Sequence, residues 1–197
     1  MSQKRLSFVL SERAVCGVNL ATETLERLKQ RGLLPPTEIA KPPQKNRNLK
    51  SLAVCMQEIK PAVMAEVIET TVSQVDVSKS YVAKRLRRLE KRGHTVALFS
   101  STPFFILEAL IDKIEVIDRM NVVTPRMEPD GSFADFDYSQ ATQDYLNDHV
   151  SAYLNTCFGS GVNDAAIMQK AINPVAVNPQ GQFKDMAKAH RWEIIHT

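Results

Sequence analysis

From Gly93 onward, short apolar runs alternate with amphipathic segments of helical period. The strand-like runs are HTVALFSS at 94–101, part of EVIDRMNVVTP at 115–125, NTCFG at 155–159, PVAV at 174–177 and WEII at 192–195. Helical patterns fill the intervals, and each run is too short to be a helix of its own. Short buried strands separated by helices are typical of a parallel sheet with helices on both faces. The sequence therefore predicts an α/β fold.

The N-terminal part of the chain has a different pattern. One strand-like run, KRLSFVL at 4–10, is followed by helical patterns at 20–31, 49–72 and 78–92, with a proline-rich connector at 35–48. Pro61 marks a kink or a new helix start within the second pattern. We predict an α/β core made of residues 1–16 and 91–197, with a helical cap formed by residues 17–90.

Composition places the chain among ordinary globular proteins. Hydrophobic residues make up 44% and charged residues 24%, and no apolar run approaches the ~18 residues of a membrane span. We expect a cytoplasmic protein. The three cysteines have no CxxC spacing and the four histidines no HxH or HxxxH spacing, so reduced thiols and ordinary core or surface histidines are favoured over a zinc site.

The net charge of +3 is unevenly distributed. Residues 1–93 carry 18 Lys and Arg against nine acids, and residues 94–197 carry seven against thirteen. This polarity favours an anionic partner or self-association, although a solvated surface is the commoner outcome. The strongest basic cluster, a possible site for an anionic ligand, is formed by Lys84, Arg85, Arg87, Arg88, Lys91 and Arg92.

Three stretches together resemble one protein family. They are GHTVALFSSTPFFI at 93–106, FGSGVNDAAIM at 158–168 and NPVAVNPQGQFKDMAKAHRWEII at 173–195. In order and separation they look like the second motif, the fourth motif and the closing segment of the phosphoserine-phosphatase-like branch of the haloacid dehalogenase superfamily. The resemblance implies a three-layer, Rossmann-like core with a parallel sheet and a helical cap inserted after the first strand. It also implies magnesium-dependent hydrolysis of phosphomonoesters.

The catalytic carboxylates that the resemblance implies are absent. The family uses a carboxylate nucleophile at the end of the first strand and a second carboxylate two positions later as acid and base. Aligned on SFVLSER, these positions hold Val9 and Ser11, and Glu12 is the only acid among residues 1–22. We therefore predict no catalytic residue and treat Val9 and Ser11 as degenerate positions.

The positions that hold phosphate and metal are partly retained. The resemblance assigns a vestigial phosphate-binding set of Ser100, Ser101, Gly159 and Asn163. Ser100 has an equally good interpretation as a residue that ends a buried strand and caps the helix near Pro103. The vestigial metal positions are Ser160 and Asp164, of which only Asp164 is a carboxylate.

The family's phosphate-binding lysine is missing as well. No lysine lies between Lys113 and Lys170, which leaves Gln140 or Gln143 as the expected occupant of its place.

These losses favour a pseudophosphatase that acts by binding a protein partner or by self-association. No cofactor is expected, and the site should be small, largely closed and free of metal, with weak anion binding at most. The alternative is an active phosphomonoester hydrolase with atypical residues, which would require magnesium.

Overall fold

The computed structural model describes residues 4–34, 47–114, 120–134, 136–149 and 151–196. Six parallel strands form one sheet in the order β3-β2-β1-β4-β5-β6. The strands are β1 (Lys4–Leu10), β2 (Thr95–Phe99), β3 (Met120–Val123), β4 (Ala152–Gly159), β5 (Asn173–Val177) and β6 (Glu193–Ile195). The predicted parallel α/β architecture is confirmed. The predicted connector at 35–48 falls mostly outside the described residues.

The helices lie on both faces of this sheet. They are α1 (Arg13–Cys16), α2 (Leu20–Gln30), α3 (Arg47–Glu58), α4 (Pro61–Ser73), α5 (Tyr81–Lys91), α6 (Phe104–Ile114), α7 (Tyr138–Asp148), α8 (Ala165–Met168) and α9 (Gly181–Ala189). Pro61 is the first residue of a new helix, where its missing N–H costs nothing. None of the described helices has the length and apolar character needed to cross a membrane.

The central strand β1 separates two hydrophobic cores because its side chains alternate between the two faces of the sheet. Leu6, Phe8 and Leu10 pack with α7, α8 and α9 on one face. Val9 packs on the other face with the helices that precede β2 and with α6. Side chains of β1 from Leu6 onward are fully buried on both faces, as expected for the middle of a three-layer fold.

The helices before β2 do not all have the same packing partners. Helices α3 and α4 pack mainly on α2, and α4 also contacts α6, whereas α5 packs mainly on α1 and β2. The apolar stripe of α5, which includes Leu86, therefore covers the sheet, although the predicted cap includes this helix. The division at 17–90 itself stays a prediction.

Both ends of α7 differ from the sequence prediction. The sequence predicts a helix at 140–153, but α7 begins at Tyr138 and ends at Asp148. It begins earlier because the Asp137 side chain accepts a hydrogen bond from the amide of Gln140, which is an N-cap interaction. It ends earlier because the chain turns at His149 and enters β4 at Ala152.

Candidate functional site

A cleft of about 590 Å³ lies where the carboxyl ends of β1, β2 and β4 meet, beside the start of α7. This edge of a parallel sheet is where α/β proteins bind their ligands. We call it the site cleft. Its lining is mostly polar and consists of Ser11, Arg13, Asn19, Ser101, Phe136, Asp137, Tyr138, Ser139, Ser160, Gly161, Asn163 and Asp164. A cleft of this volume contradicts the prediction of a small, largely closed site.

Five of the residues singled out in the sequence line the site cleft directly. They are Ser11, Ser101, Ser160, Asn163 and Asp164. The other three, Val9, Ser100 and Gly159, are buried. The structure therefore gathers the predicted positions at one edge of the sheet, while the roles assigned to them stay predictions.

The two degenerate positions of β1 differ in depth. Val9 pairs in register with Leu98 and Phe158, and its side chain is fully buried in a hydrophobic core. Ser11 lines the cleft with a φ of 84°. That left-handed conformation costs a non-glycine residue about 1 kcal/mol. It is held in place by the Ser11 amide, which donates to the Phe99 carbonyl at 2.7 Å.

Ser100 is tied to a buried carboxylate. Its hydroxyl donates to Oε2 of Glu12 and accepts from the amide of Thr102 at 2.9 Å. Both Ser100 and Glu12 are fully buried. These two hydrogen bonds support the second interpretation of Ser100, in which its hydroxyl organises the start of α6.

Glu12 itself accepts four hydrogen bonds. Its Oε1 accepts from the Thr102 hydroxyl at 2.8 Å and from the Leu20 amide at 3.3 Å, and its Oε2 accepts from the hydroxyls of Ser100 and Ser11. Buried charges are tolerated when their lone pairs are satisfied in this way. Glu12 thus joins the ends of β1 and β2 to the first turn of α2.

Asp164 has a similarly saturated environment. Its Oδ2 accepts from the amides of Ser160 at 2.7 Å and Gly161 at 3.0 Å, and its Oδ1 accepts from the Tyr138 hydroxyl at 2.6 Å. Burial raises the pKa of Asp164, and these hydrogen bonds oppose part of that rise. Burial and the adjacent Asp164 charge raise the pKa of Tyr138. The Asp164 carboxylate therefore stabilises the turn after β4 through the hydrogen bonds that it accepts from the two amides.

The expected substitutes for the missing lysine do not reach the cleft. Gln140 donates to Asp144 and Gln143 donates to Asn147, both along the outer side of α7. Gln143 also accepts from Lys170. The expectation for Gln140 or Gln143 is wrong because α7 begins earlier than predicted and turns its first residues, including Tyr138, toward the cleft.

Magnesium does not fit the donors that remain. The ion takes oxygen ligands in a near-octahedral arrangement, and its protein sites use one or two carboxylates together with waters and substrate phosphate. Asp164 is engaged on both oxygens, and Ser160 carries a hydroxyl in place of a carboxylate. Among the described residues, no three His, Cys, Asp or Glu side chains are grouped so that they could hold a metal ion.

Two of the three cysteines lie in surroundings that disfavour the thiolate form. Cys16 is half-buried and Cys157 is buried, and neither forms a disulfide bond. Burial raises the pKa of Cys16 to about 12 and the pKa of Cys157 well above its usual range. A thiol nucleophile needs a lowered pKa, so neither residue has the properties of one.

The histidines are dispersed, as expected from their spacing. His94 is buried and shares a hydrogen bond with the Ser7 hydroxyl at 2.9 Å. His149 stacks on Tyr145, and His190 stacks on Trp192. His196 is exposed after β6.

The basic cluster of α5 is partly neutralised within the fold. Arg85 forms an ion pair with Glu193 at 2.6 Å, and Arg87 donates from Nε to the Ile114 carbonyl at 2.8 Å. The remaining four cations are exposed to solvent and are Lys84, Arg88, Lys91 and Arg92.

No protein-family model matches the chain, and no curated protein sequence matches it. Its structure, in contrast, resembles several solved structures. A protein of unknown function from Bordetella pertussis Tohama I superposes with a TM-score of 0.76 at 14% identity, over 98% of this chain and 99% of that one. A phosphoserine phosphatase in apo form gives a TM-score of 0.58 at 15% identity, over 94% and 91%.

A HAD family hydrolase from Salmonella enterica serovar Typhi gives a TM-score of 0.57 at 13% identity, over 98% of this chain and 67% of that one. At such identities the likeness establishes the fold. The chain has the Rossmann-like fold of haloacid dehalogenase hydrolases, and its structural neighbours include the phosphoserine-phosphatase-like branch. The Rossmann-like core with a parallel sheet, which the sequence resemblance implies, is confirmed, and the helical cap stays a prediction.

Proposed function

We propose that this protein is a pseudophosphatase, which has the fold of a phosphomonoester hydrolase and binds a partner without cleaving a phosphate ester. The observation that carries the proposal is the hydrogen bonding of the Ser100 hydroxyl. This hydroxyl is buried and donates to Glu12, so it cannot also hold a phosphate oxygen unless this bond breaks. A hydroxyl that helps to satisfy a buried carboxylate has a structural role.

The rest of the cleft supports the same conclusion. The mechanism implied by the fold needs an ionised nucleophile, an acid and base, and several oxygens for a metal ion. Val9 is apolar and buried, Ser11 offers a hydroxyl, and Asp164 is occupied by Tyr138 and two amides. Residues of a catalytic unit act together, so one remaining carboxylate does not sustain the rate.

Turnover assays test this proposal. The purified chain is incubated with magnesium and either phosphoserine or an aryl phosphate, beside an Asp164→Asn variant. We expect no release of phosphate above the buffer rate from either protein. Magnesium-dependent turnover that the Asp164→Asn variant lacks would refute the proposal and establish the alternative, an active hydrolase with atypical residues.

Thermal unfolding gives an independent readout in the same samples. A ligand at 100 times its dissociation constant adds about 2.7 kcal/mol to the unfolding free energy. We expect magnesium to leave the melting temperature unchanged. A rise that saturates with magnesium would show that a metal site exists at Asp164 or elsewhere in the chain.

The binding partner and the cytoplasmic location also belong to the proposal. A protein partner or a second copy of the chain would be attracted by the four exposed cations of α5 and its C-cap, which are Lys84, Arg88, Lys91 and Arg92. The acidic excess of residues 94–197 makes self-association electrostatically favourable.

A further inference from the structure

A second cavity, of about 440 Å³, adjoins the site cleft and shares Arg13 and Ser160 with it. We call it the lateral cavity. It lies beyond the carboxyl ends of β5 and β6, where the Asn178 amide donates to the Ile195 carbonyl at 2.9 Å and brings the next residue, His196, alongside. The volume is within the range of small-molecule sites.

Two cations and a histidine line the lateral cavity, and none of the described acidic side chains forms an ion pair with them. Arg13, Lys184 and His196 contribute their side chains from α1, α9 and the end of β6. Among the residues that the structure describes, no Asp or Glu lines the cavity. Within the described part of the chain, none of these three side chains has a hydrogen bond or ion pair with another protein group, and all three are exposed.

This arrangement differs from an ordinary basic surface. On α5, the half-buried cations are paired with Glu193 or with a backbone carbonyl. Here the cations of α1 and α9 converge on one concavity beside His196, and the two like charges repel unless an anion lies between them. The guanidinium of Arg13 can hold two oxygens of a phosphate or carboxylate at once, and the Lys184 ammonium supplies a further donor.

We propose that the lateral cavity binds the phosphate or carboxylate group of a small metabolite without a metal ion. The remainder of the ligand extends past Ser160 into the site cleft, where Ser101 and Ser139 offer hydroxyl groups to a polar body. Arg13 borders both spaces and contacts the ligand where they meet. This site goes beyond the proposed function, because it exists whether or not the site cleft catalyses a reaction.

Calorimetric titration in buffer with a chelator tests the site. The probes are inorganic phosphate, pyrophosphate and citrate, and the variants are Arg13→Gln and Lys184→Gln. The matched control is Lys188→Gln, because Lys188 is exposed one turn along α9 and does not line the cavity. All three changes remove one charge from an exposed side chain, so folding should be retained.

We expect at least one probe to bind, and we expect the Arg13→Gln and Lys184→Gln changes each to weaken it about tenfold, the loss of one charge-assisted hydrogen bond. The affinity of the Lys188→Gln control for the same probe should stay within about twofold of that of the unmodified chain, because a distant exposed charge contributes little to binding. Tighter binding of pyrophosphate identifies a phosphate ligand, and tighter binding of citrate identifies a carboxylate ligand. Both outcomes support the site.

Two results would overturn the proposal. One is the absence of binding by all three probes. The other is an equal loss of affinity in the Lys188→Gln control, which would mean that net charge alone attracts the anions. Because the titration contains no magnesium and measures no turnover, its failure would leave the pseudophosphatase proposal in place. Turnover in the phosphatase assay would in turn leave this site in place.

Discussion

The buried carboxylate of Glu12 permits a quantitative prediction. In a Glu12→Gln variant of the same shape, the amide oxygen should face the Leu20 amide, since that backbone donor cannot rotate. The new NH₂ group then faces the hydroxyls of Ser100 and Ser11, which must turn to accept instead of donate. Hydrogen bonds to a charged group contribute about 1.5 to 3 kcal/mol and neutral ones about 1 kcal/mol.

Replacing the charged acceptor by a neutral amide should therefore lower the free energy of unfolding by about 2 to 3 kcal/mol, after partial relaxation of the hydroxyls. Urea denaturation followed by circular dichroism measures this loss. The control is Glu26→Gln, because Glu26 is exposed on α2 and its replacement should change stability by less than about 0.5 kcal/mol. If Glu12→Gln is as stable as the control, the inference that Glu12 organises the site is wrong.

Two further predictions concern the turn after β4. Burial raises the pKa of Asp164, so the native state holds this proton more tightly than the unfolded chain. The stability of the unmodified chain relative to Asp164→Asn should therefore rise as the pH falls from neutral toward the ordinary value of 3.8, and a constant or falling difference in urea titrations would contradict this. A Cβ at Gly159 would overlap Met168 and lie 2.9 Å from Cβ of Asp164, whereas one at Gly161 meets open space. Gly159→Ala should cost about 2 kcal/mol in thermal unfolding and Gly161→Ala less than about 0.5 kcal/mol, and equal costs would show that the overlap is relieved.

The sequence predicts the sheet and its edge because the information is local. A run such as TVALF with helical patterns on both sides identifies a buried parallel strand, and β2 is found at Thr95–Phe99. The ends of parallel strands meet at one edge, so the positions after β1, β2 and β4 can be placed together from the strand pattern.

The surface that α5 covers cannot be identified in the same way. Its apolar stripe indicates that one face is buried, but not that the buried face lies on β2.

The residues that complete the site cannot be inferred because their contacts join distant parts of the chain. Glu12 stands out as the only acid near the N-terminus, yet its partner Ser100 lies 88 residues away. Tyr138 meets Asp164 across 26 residues, and nothing in the local pattern distinguishes this tyrosine from a surface residue. The one sequence signal for these contacts is the position of Glu12, which closely follows a buried strand. At such a position the carboxylate must either face the cleft or accept hydrogen bonds from other protein groups.

The polar groups at this edge of the sheet fall into two classes, those that already have a hydrogen-bond partner within the protein and those that have none, and this difference is why we propose binding and not catalysis. In a buried site, each hydroxyl and turn amide needs a partner when no ligand is present. Glu12 provides that partner for Ser100, and Asp164 provides it for the amides of Ser160 and Gly161. These groups are therefore satisfied by the protein itself, and a phosphate ester would have to displace them at a cost. Arg13 and Lys184 are the opposite case, since no described side chain pairs with them and they face open cavities. A ligand gains most where it supplies a missing partner, so we expect the free energy of binding to come from these cations and not from the positions that the sequence resemblance assigns to phosphate and metal.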